Sequence, residues 1–151
     1  ENQRMDRNWN ELLQELRVTQ TGIQILSGFL LTLPFQARFT ELDAVLKGVF
    51  LGAVAMGTLS TALVVAPVTA HRLLFRQHAK DILVDSGTLL AKAGLICLAL
   101  TVVLVVTLIV GLVLDLTTGL VAGGACLVVF GVLWLGLPLC LGRRPERGAY
   151  R

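Results

Sequence analysis

Charged side chains are scarce in this chain, making up 15% of its 151 residues, against about a quarter in a typical soluble domain. They are absent from four apolar runs, at about 18–37, 48–66, 93–114 and 119–141. So few charged residues cannot form the polar surface of a water-soluble domain. The absence also removes the intramembrane ionisable groups that usually mark ion pathways and proton relays.

Reactive constellations are also lacking. The three cysteines, Cys97, Cys126 and Cys140, form no CxxC pair and are an odd number, so a disulfide framework is not expected. His71 and His78 are seven residues apart, unlike a metal pair at i and i+4, and no nucleophile has a placed base. We therefore expect no enzyme activity, no metal and no cofactor. The sequence also lacks the alternating aromatic and basic residues that would indicate binding to nucleic acid.

The four apolar runs themselves predict the fold. A helix needs about 20 residues to cross the roughly 30 Å hydrocarbon layer, and each run is about that long. The chain is therefore expected to be an all-α, integral membrane four-helix bundle. Residues 1–142 would form its single domain, and residues 143–151 a polar cytoplasmic tail.

The basic residues predict its orientation. Of thirteen Lys and Arg residues, Arg38 and Lys47 fall in the first loop. The other eleven lie in the N-terminal segment, the middle loop and the tail, which four crossings place on one side. The positive-inside rule then puts both termini in the cytoplasm. The predicted location is the cytoplasmic membrane.

The first helix carries a polar stripe. It is expected to run from about Asn10 to Leu33, with Asn8 or Asn10 as its cap and its first turns extending into the cytoplasm. Residues spaced three or four apart share one helix face, and here they are Gln14, Arg17, Thr21, Gln24 and Gly28. The stripe is interpreted either as a pore lining with Glu11 and Glu15 at the mouth, or as inter-helix hydrogen bonding.

Small residues recur at packing intervals in two runs. Small-xxx-small spacing lets helix backbones approach closely, and the residues concerned are Gly48, Gly52, Gly57, Gly119 and Gly123. Ser60 and Thr61 are expected to bond the carbonyl four residues earlier. Pro67 is expected to end or kink the second helix.

Residues 71–90 form a basic, amphipathic stretch. It is predicted to be either a surface helix at the inner leaflet or an extension of the second span. Asp85 or Ser86 would cap the third helix. Anionic lipid headgroups are the expected partners of its cationic side chains, which are His71, Arg72, Arg76 and Lys80.

Two segments carry a family resemblance. They are NELLQELRVTQTGIQILSGFLLTLPFQARF, from Asn10 to Phe39, and APVTAHRLLFRQHAK, from Ala66 to Lys80. Together they resemble a family of small uncharacterised actinobacterial four-span membrane proteins. Its members often carry the label sodium:proton antiporter.

Two functions follow as expectations. The first is an oligomeric membrane protein that mediates translocation of cations or protons. The alternative is a non-transporting structural or accessory subunit of a larger membrane assembly, with a homo-oligomer or another membrane protein as partner. The lack of a carboxylate within the spans argues against proton-coupled exchange, which requires a titratable group near mid-membrane.

Overall fold

The structure, a computed structural model, describes residues 2–74 and 80–136, and side chains at 14–67, 69, 87–134 and 136. Over these residues the chain is helical. The four main helices are α1 (Asn2–Thr32), α2 (Ala44–Leu74), α3 (Lys80–Val113) and α4 (Leu116–Gly131). A π-helical turn, Val132–Gly136, continues α4.

All four helices are long and apolar enough to cross a membrane, which confirms this part of the prediction. The candidate spans are Gln14–Phe35, Ala44–Pro67, Gly87–Val113 and Leu116–Trp134. The acidic and basic side chains inside these limits, Glu15, Arg17, Lys47 and Lys92, lie near a span end. The predicted residues 137–141 of the fourth span and the tail 143–151 lie outside the described residues.

Two predicted helix starts were wrong. α1 begins at Asn2 and passes through Asn8 and Asn10, and α3 begins at Lys80 and passes through Asp85 and Ser86. These residues favour caps, but inside a helix each loses only about 0.7 kcal/mol or less relative to alanine. Ending the helix there would instead release backbone groups that need new partners.

The α1–α2 connection is short and ordered by hydrogen bonds. Pro34 enters a 3-10 turn, Leu33–Phe35, and a second one, Ala37–Glu41, follows. The Asp43 carboxylate accepts a 2.7 Å hydrogen bond from the Leu46 amide and so caps α2. The Phe39 ring packs edge-on against Phe50, with centroids 5.0 Å apart, which holds the connection against α2.

The helices pack in chain order. α2 makes its most extensive contact with α3, α1 rests mainly on α2, and α4 rests chiefly on α3. The connection 33–43 lies beside the end of α3, because Leu33 and Phe39 pack on the cluster that contains Leu108. The described helices therefore alternate in direction.

The contact between α2 and α3 is closest at Gly94. A Cβ atom there would lie 2.7 Å from Val64 Cγ2 and 3.4 Å from the Ser60 carbonyl oxygen. The Ser60 hydroxyl, fully buried, donates a 2.7 Å hydrogen bond to the Gly94 carbonyl. The expected bond within its own helix was thus wrong for Ser60 but is confirmed for Thr61, which donates to Gly57 at 2.9 Å.

Pro67 does not end α2. It is fully buried inside the helix, which continues to Leu74. Since proline has no amide hydrogen, the carbonyl of residue 63 cannot receive the usual helical bond. Within the stretch 71–90, residues 71–74 extend α2, as one interpretation predicted, but residues 80–90 are the start of α3. The described residues of this stretch contain no separate surface helix, and residues 75–79 lie outside the described residues.

Glycines also form the contact between α3 and α4. A Cβ at Gly119 would lie 2.6 Å from the Thr107 carbonyl oxygen and 2.8 Å from Gly111 Cα. A Cβ at Gly123 would collide with Thr107 Oγ1. As long as the helices keep their present separation, neither position can hold a residue that has a Cβ atom.

Gly119→Ala should therefore destabilise the protein, whereas Gly124→Ala on the same helix should not. The first methyl group would meet backbone atoms of α3, and overpacking of this kind costs about 1–3 kcal/mol. The second has nothing within 4 Å, and alanine favours a helix over glycine by about 1 kcal/mol. Thermal unfolding in detergent measures both. Equal midpoints for the two variants would contradict the α3–α4 contact.

Candidate functional site

The candidate site is the outward face of α1. Its inward face is formed by Leu16, Ile23 and Leu30, which are 5%, 1% and 3% exposed. With about 100° per residue in an α-helix, the predicted polar stripe lies about 100–180° around the helix from Ile23. The stripe therefore points away from the other helices of the same copy.

The burial of individual residues agrees with this geometry. The exposed members of the stripe are Gln14, Arg17, Thr21, Gln24 and Gly28. The Thr21 hydroxyl donates to the Arg17 carbonyl at 3.0 Å. The Gln24 amide has no hydrogen-bond partner within the described part of the chain. Gln24 therefore presents an unsatisfied amide on the surface of a helix that is long and apolar enough to cross a membrane.

The predicted mouth of the site is only partly described. Glu15 is exposed and borders a shallow groove with Gln14, Val18 and Thr19. The side chain of Glu11 lies outside the described residues. Glu15 lies about 140° around the helix from the centre of the stripe, so the predicted mouth carboxylate is on a different face of α1 from the stripe.

The interior of one copy offers no polar path through its described residues. The buried polar side chains there are Ser60, Thr101 and Thr107. Thr101 donates to the Cys97 carbonyl at 2.8 Å and Thr107 to the Val103 carbonyl at 2.9 Å, while Ser60 bonds Gly94. Each hydroxyl is thus satisfied by a backbone carbonyl, and none can ionise near neutral pH.

Asp115 takes a role that the sequence did not predict. It caps α4, where its carboxylate accepts from the Thr118 amide at 2.6 Å and from the Thr118 hydroxyl at 3.1 Å. The hydroxyl and then the amide of Thr118 lower the pKa of Asp115 below its ordinary 3.8. A carboxylate that carries protons at neutral pH needs a raised pKa, so this environment disfavours a coupling role.

The predicted packing glycines fall in different surroundings. Gly48 is exposed, with nothing within 4 Å of a Cβ position, and Gly52 is 3.5 Å from Leu104. Gly57 lies where three helices meet, since a Cβ added there would lie 3.8 Å from Ser27 Oγ of α1 and 3.5 Å from Thr101 Cγ2 of α3. Gly119 and Gly123 lie at the α3–α4 contact.

Sequence reasoning missed Gly94 and Gly111 as close-contact positions. A Cβ at Gly111 would lie 2.8 Å from Leu46 Cδ2. Gly94 has no small residue four positions away, so the spacing rule gave no signal there, whereas Thr107 and Gly111 do have small-xxx-small spacing that was not used. Ser60, the hydroxyl residue beside Gly94, was visible as a polar residue in an apolar run.

The predicted lipid contacts cannot be placed. Arg76 lies outside the described residues, as do the side chains of His71, Arg72 and Lys80. Cys97 and Cys126 are half-buried free thiols, and Cys140 is not described. In the described ranges, no three histidine, cysteine or acidic residues are grouped so that they could hold a metal ion.

The fold and this surface define the class as a small α-helical protein with four helices able to cross a membrane. A family model matches residues 1–138. The chain therefore belongs to the family of unknown function DUF6328. No curated protein and no solved structure matches it.

The Asp115 cap makes a pH prediction. Because its folded-state pKa is depressed, the carboxylate stabilises the fold above the ordinary pKa of 3.8, and this contribution is lost as the pH falls through the folded value. Asp115→Asn should therefore remove part of the acid-induced loss of thermal stability.

Thr118→Val is the matched variant, since it removes the hydroxyl donor and should move the Asp115 pKa back toward 3.8. Unfolding midpoints in detergent, measured from neutral pH to well below that value, test both. An acid-induced loss in Asp115→Asn as large as in the unsubstituted protein would contradict the role of the cap.

Proposed function

We propose that this protein works as a homo-oligomer whose copies meet through the outward stripe of α1 and leave a path for small cations between them. The observation that carries the proposal is the position of Gln24 and Thr21, which are exposed on a membrane-crossing helix and directed away from their own bundle. Polar side chains in that position need a hydrogen-bond partner on another molecule.

The energetics of the amide support self-association. A primary amide has two donors and an acceptor, and hydrocarbon satisfies none of them. Gln24 of a second copy would supply both functions reciprocally. Inter-helix hydrogen bonds of this kind contribute about 0.6 kcal/mol on average in a measured membrane protein, and about 1–2 kcal/mol in model peptides. Several such contacts would add specificity to helix packing.

A path for cations follows from the same geometry. The amide oxygen of Gln24 and the free lone pairs of Thr21 could replace part of the water shell of a cation, as oxygen atoms do in selectivity filters. Arg17, a member of the stripe, would lie at its entrance, whereas the predicted mouth residue Glu15 lies on another face of α1. The resemblance to proteins labelled sodium:proton antiporters is the reason for proposing cations.

The proposal does not include coupling to a buried carboxylate. The acidic side chains within the described residues, Glu15, Glu41, Asp43 and Asp115, are all exposed. A proton-driven carrier normally has such a group inside the membrane. Passive movement of cations fits the side chains of α1 better than proton-coupled exchange.

The second candidate is a non-transporting accessory subunit. It is favoured by the satisfied hydroxyls of Ser60, Thr101 and Thr107, which make the bundle interior inert. In that case the α1 stripe would bind a helix of another membrane protein. In both cases we propose the cytoplasmic membrane, with both termini in the cytoplasm, no enzymatic activity and no cofactor.

Cation flux into liposomes that contain the purified protein tests the proposed path. Gln24→Leu and Thr21→Val should each reduce flux, by about tenfold if the barrier rises by about 1.4 kcal/mol. Thr58→Val is the matched control: Thr58 is also exposed and also bonds its own helix, donating to Val54 at 2.8 Å, but it lies on α2. Its flux should be unchanged.

Two outcomes would contradict the path. Undiminished flux in Gln24→Leu, with the oligomer intact, would exclude α1 as its lining. No flux in the unsubstituted protein, again with the oligomer intact, would favour the accessory role.

A further inference from the structure

An apolar groove lies at the opposite end of the bundle from the N-terminus. It is about 320 Å³ in volume and lies between the α1–α2 connection and the last turns of α3. Its walls are Leu33 and Leu42 on one side and Leu108, Ile109 and Leu112 on the other. This volume is within the range of small-molecule sites, about 300–1,000 Å³.

The walls of the groove are held in place by the packing of the helices and of the α1–α2 connection. Leu42 and Leu108 are 6% and 2% exposed, and both belong to the main apolar cluster. The Phe39–Phe50 ring contact and the 3.0 Å hydrogen bond from the Phe39 amide to the Gln36 carbonyl hold the connection in place. The groove therefore has fixed walls on both sides.

The polar groups at the groove are Gln36 and Arg38. Both are exposed. Neither side chain has a hydrogen-bond or ion-pair partner among the residues that the structure describes. Of the carboxylates close in sequence, Asp43 already caps α2, and Glu41, in the same 3-10 helix as Arg38, is exposed and makes no ion pair with it. A cation and an amide are thus available beside an apolar cavity.

The position of the groove fits the boundary of the bilayer. The first candidate span ends at Phe35, only three residues before Arg38. Ile109, 50% exposed, and Leu112 lie on a membrane-crossing helix. Arg38 therefore lies at headgroup depth while the groove walls extend to hydrocarbon depth.

We propose that this groove binds one anionic phospholipid. Its acyl chain lies along Leu108, Ile109 and Leu112, and its phosphate contacts Arg38 and Gln36. Arginine forms bidentate bonds with phosphate, and the Gln36 amide can donate to a further phosphate oxygen. The occupant is a bilayer lipid rather than a soluble anion, because the apolar walls need a chain to cover them.

Native mass spectrometry of the full chain in detergent, with phosphatidylglycerol or phosphatidylcholine added, tests the proposal. The unsubstituted protein should retain one phosphatidylglycerol in preference to phosphatidylcholine. Arg38→Gln should lower that preference about fivefold, which corresponds to about 1 kcal/mol. Ile109→Trp, which fills the groove from an exposed position, should lower the retention of both lipids.

Matched controls separate the groove from general attraction. Lys47→Gln removes an exposed cation that does not line the groove, and Ile96→Trp enlarges an exposed α3 residue, 57% exposed, away from it. Neither should change lipid retention. Inorganic phosphate should not displace the bound lipid.

Three results would overturn the proposal. These are equal retention of the two lipids by the unsubstituted protein, an equal loss in Lys47→Gln and Arg38→Gln, or unchanged retention in Ile109→Trp. Size-exclusion profiles check that each variant remains folded. The substituted side chains are all exposed, so the fold does not depend on them.

Discussion

Hydrocarbon cannot hydrogen-bond to a polar group, and the arrangement of this protein follows from that constraint. Wherever a hydroxyl enters the bundle interior in the described residues, it bonds a backbone carbonyl, as Thr101 and Thr107 do within α3 and Ser60 does across to Gly94. The acidic and basic residues whose side chains the structure describes lie near span ends or in connections. Within the described residues, Gln24 combines a position inside a candidate span, an exposed side chain and an unpaired amide.

Packing between the helices depends on close approach rather than on the hydrophobic effect, because lipid tails are as apolar as leucine. Two contacts provide this approach. One joins Ser60 and Val64 of α2 to Gly94, and the other joins Thr107 and Gly111 of α3 to Gly119 and Gly123. α3 takes part in both contacts and is therefore the central helix. α1 and α4 lie on the outside with most of their surface uncovered.

The sequence predicted the four crossings because a long neutral run has few other solutions. It predicted helix starts poorly, since Asn10 and Ser86 are only weak stop signals when the helix can continue. It could not predict the hydrogen-bond partner of Ser60. A carbonyl within the same helix was available, but the Ser60 hydroxyl donates to the Gly94 carbonyl across the interface. Spacing rules found Gly119 and Gly123, whereas Gly94 is recognisable only when Val64 is seen against it.

The stripe on α1 could be recognised by its spacing, but its direction could not. The burial of Leu16, Ile23 and Leu30 determines that Gln24 points outward. Because the Gln24 amide points outward, its hydrogen-bond partner has to lie outside its own copy. We propose that the partner belongs to a second copy, which brings two stripes into register and places any path for ions between protomers.

Disulfide cross-linking in native membranes is the most direct test of this contact between the α1 stripes of two copies. In a background with Cys97, Cys126 and Cys140 replaced by alanine, single cysteines are introduced as Gln24→Cys, Thr21→Cys and Phe29→Cys. Phe29 is 71% exposed but lies about 100° around the helix from the centre of the stripe. We predict cross-linked dimers from positions 21 and 24 and none from position 29. Equal cross-linking at all three positions, or none at 21 and 24, would contradict the account.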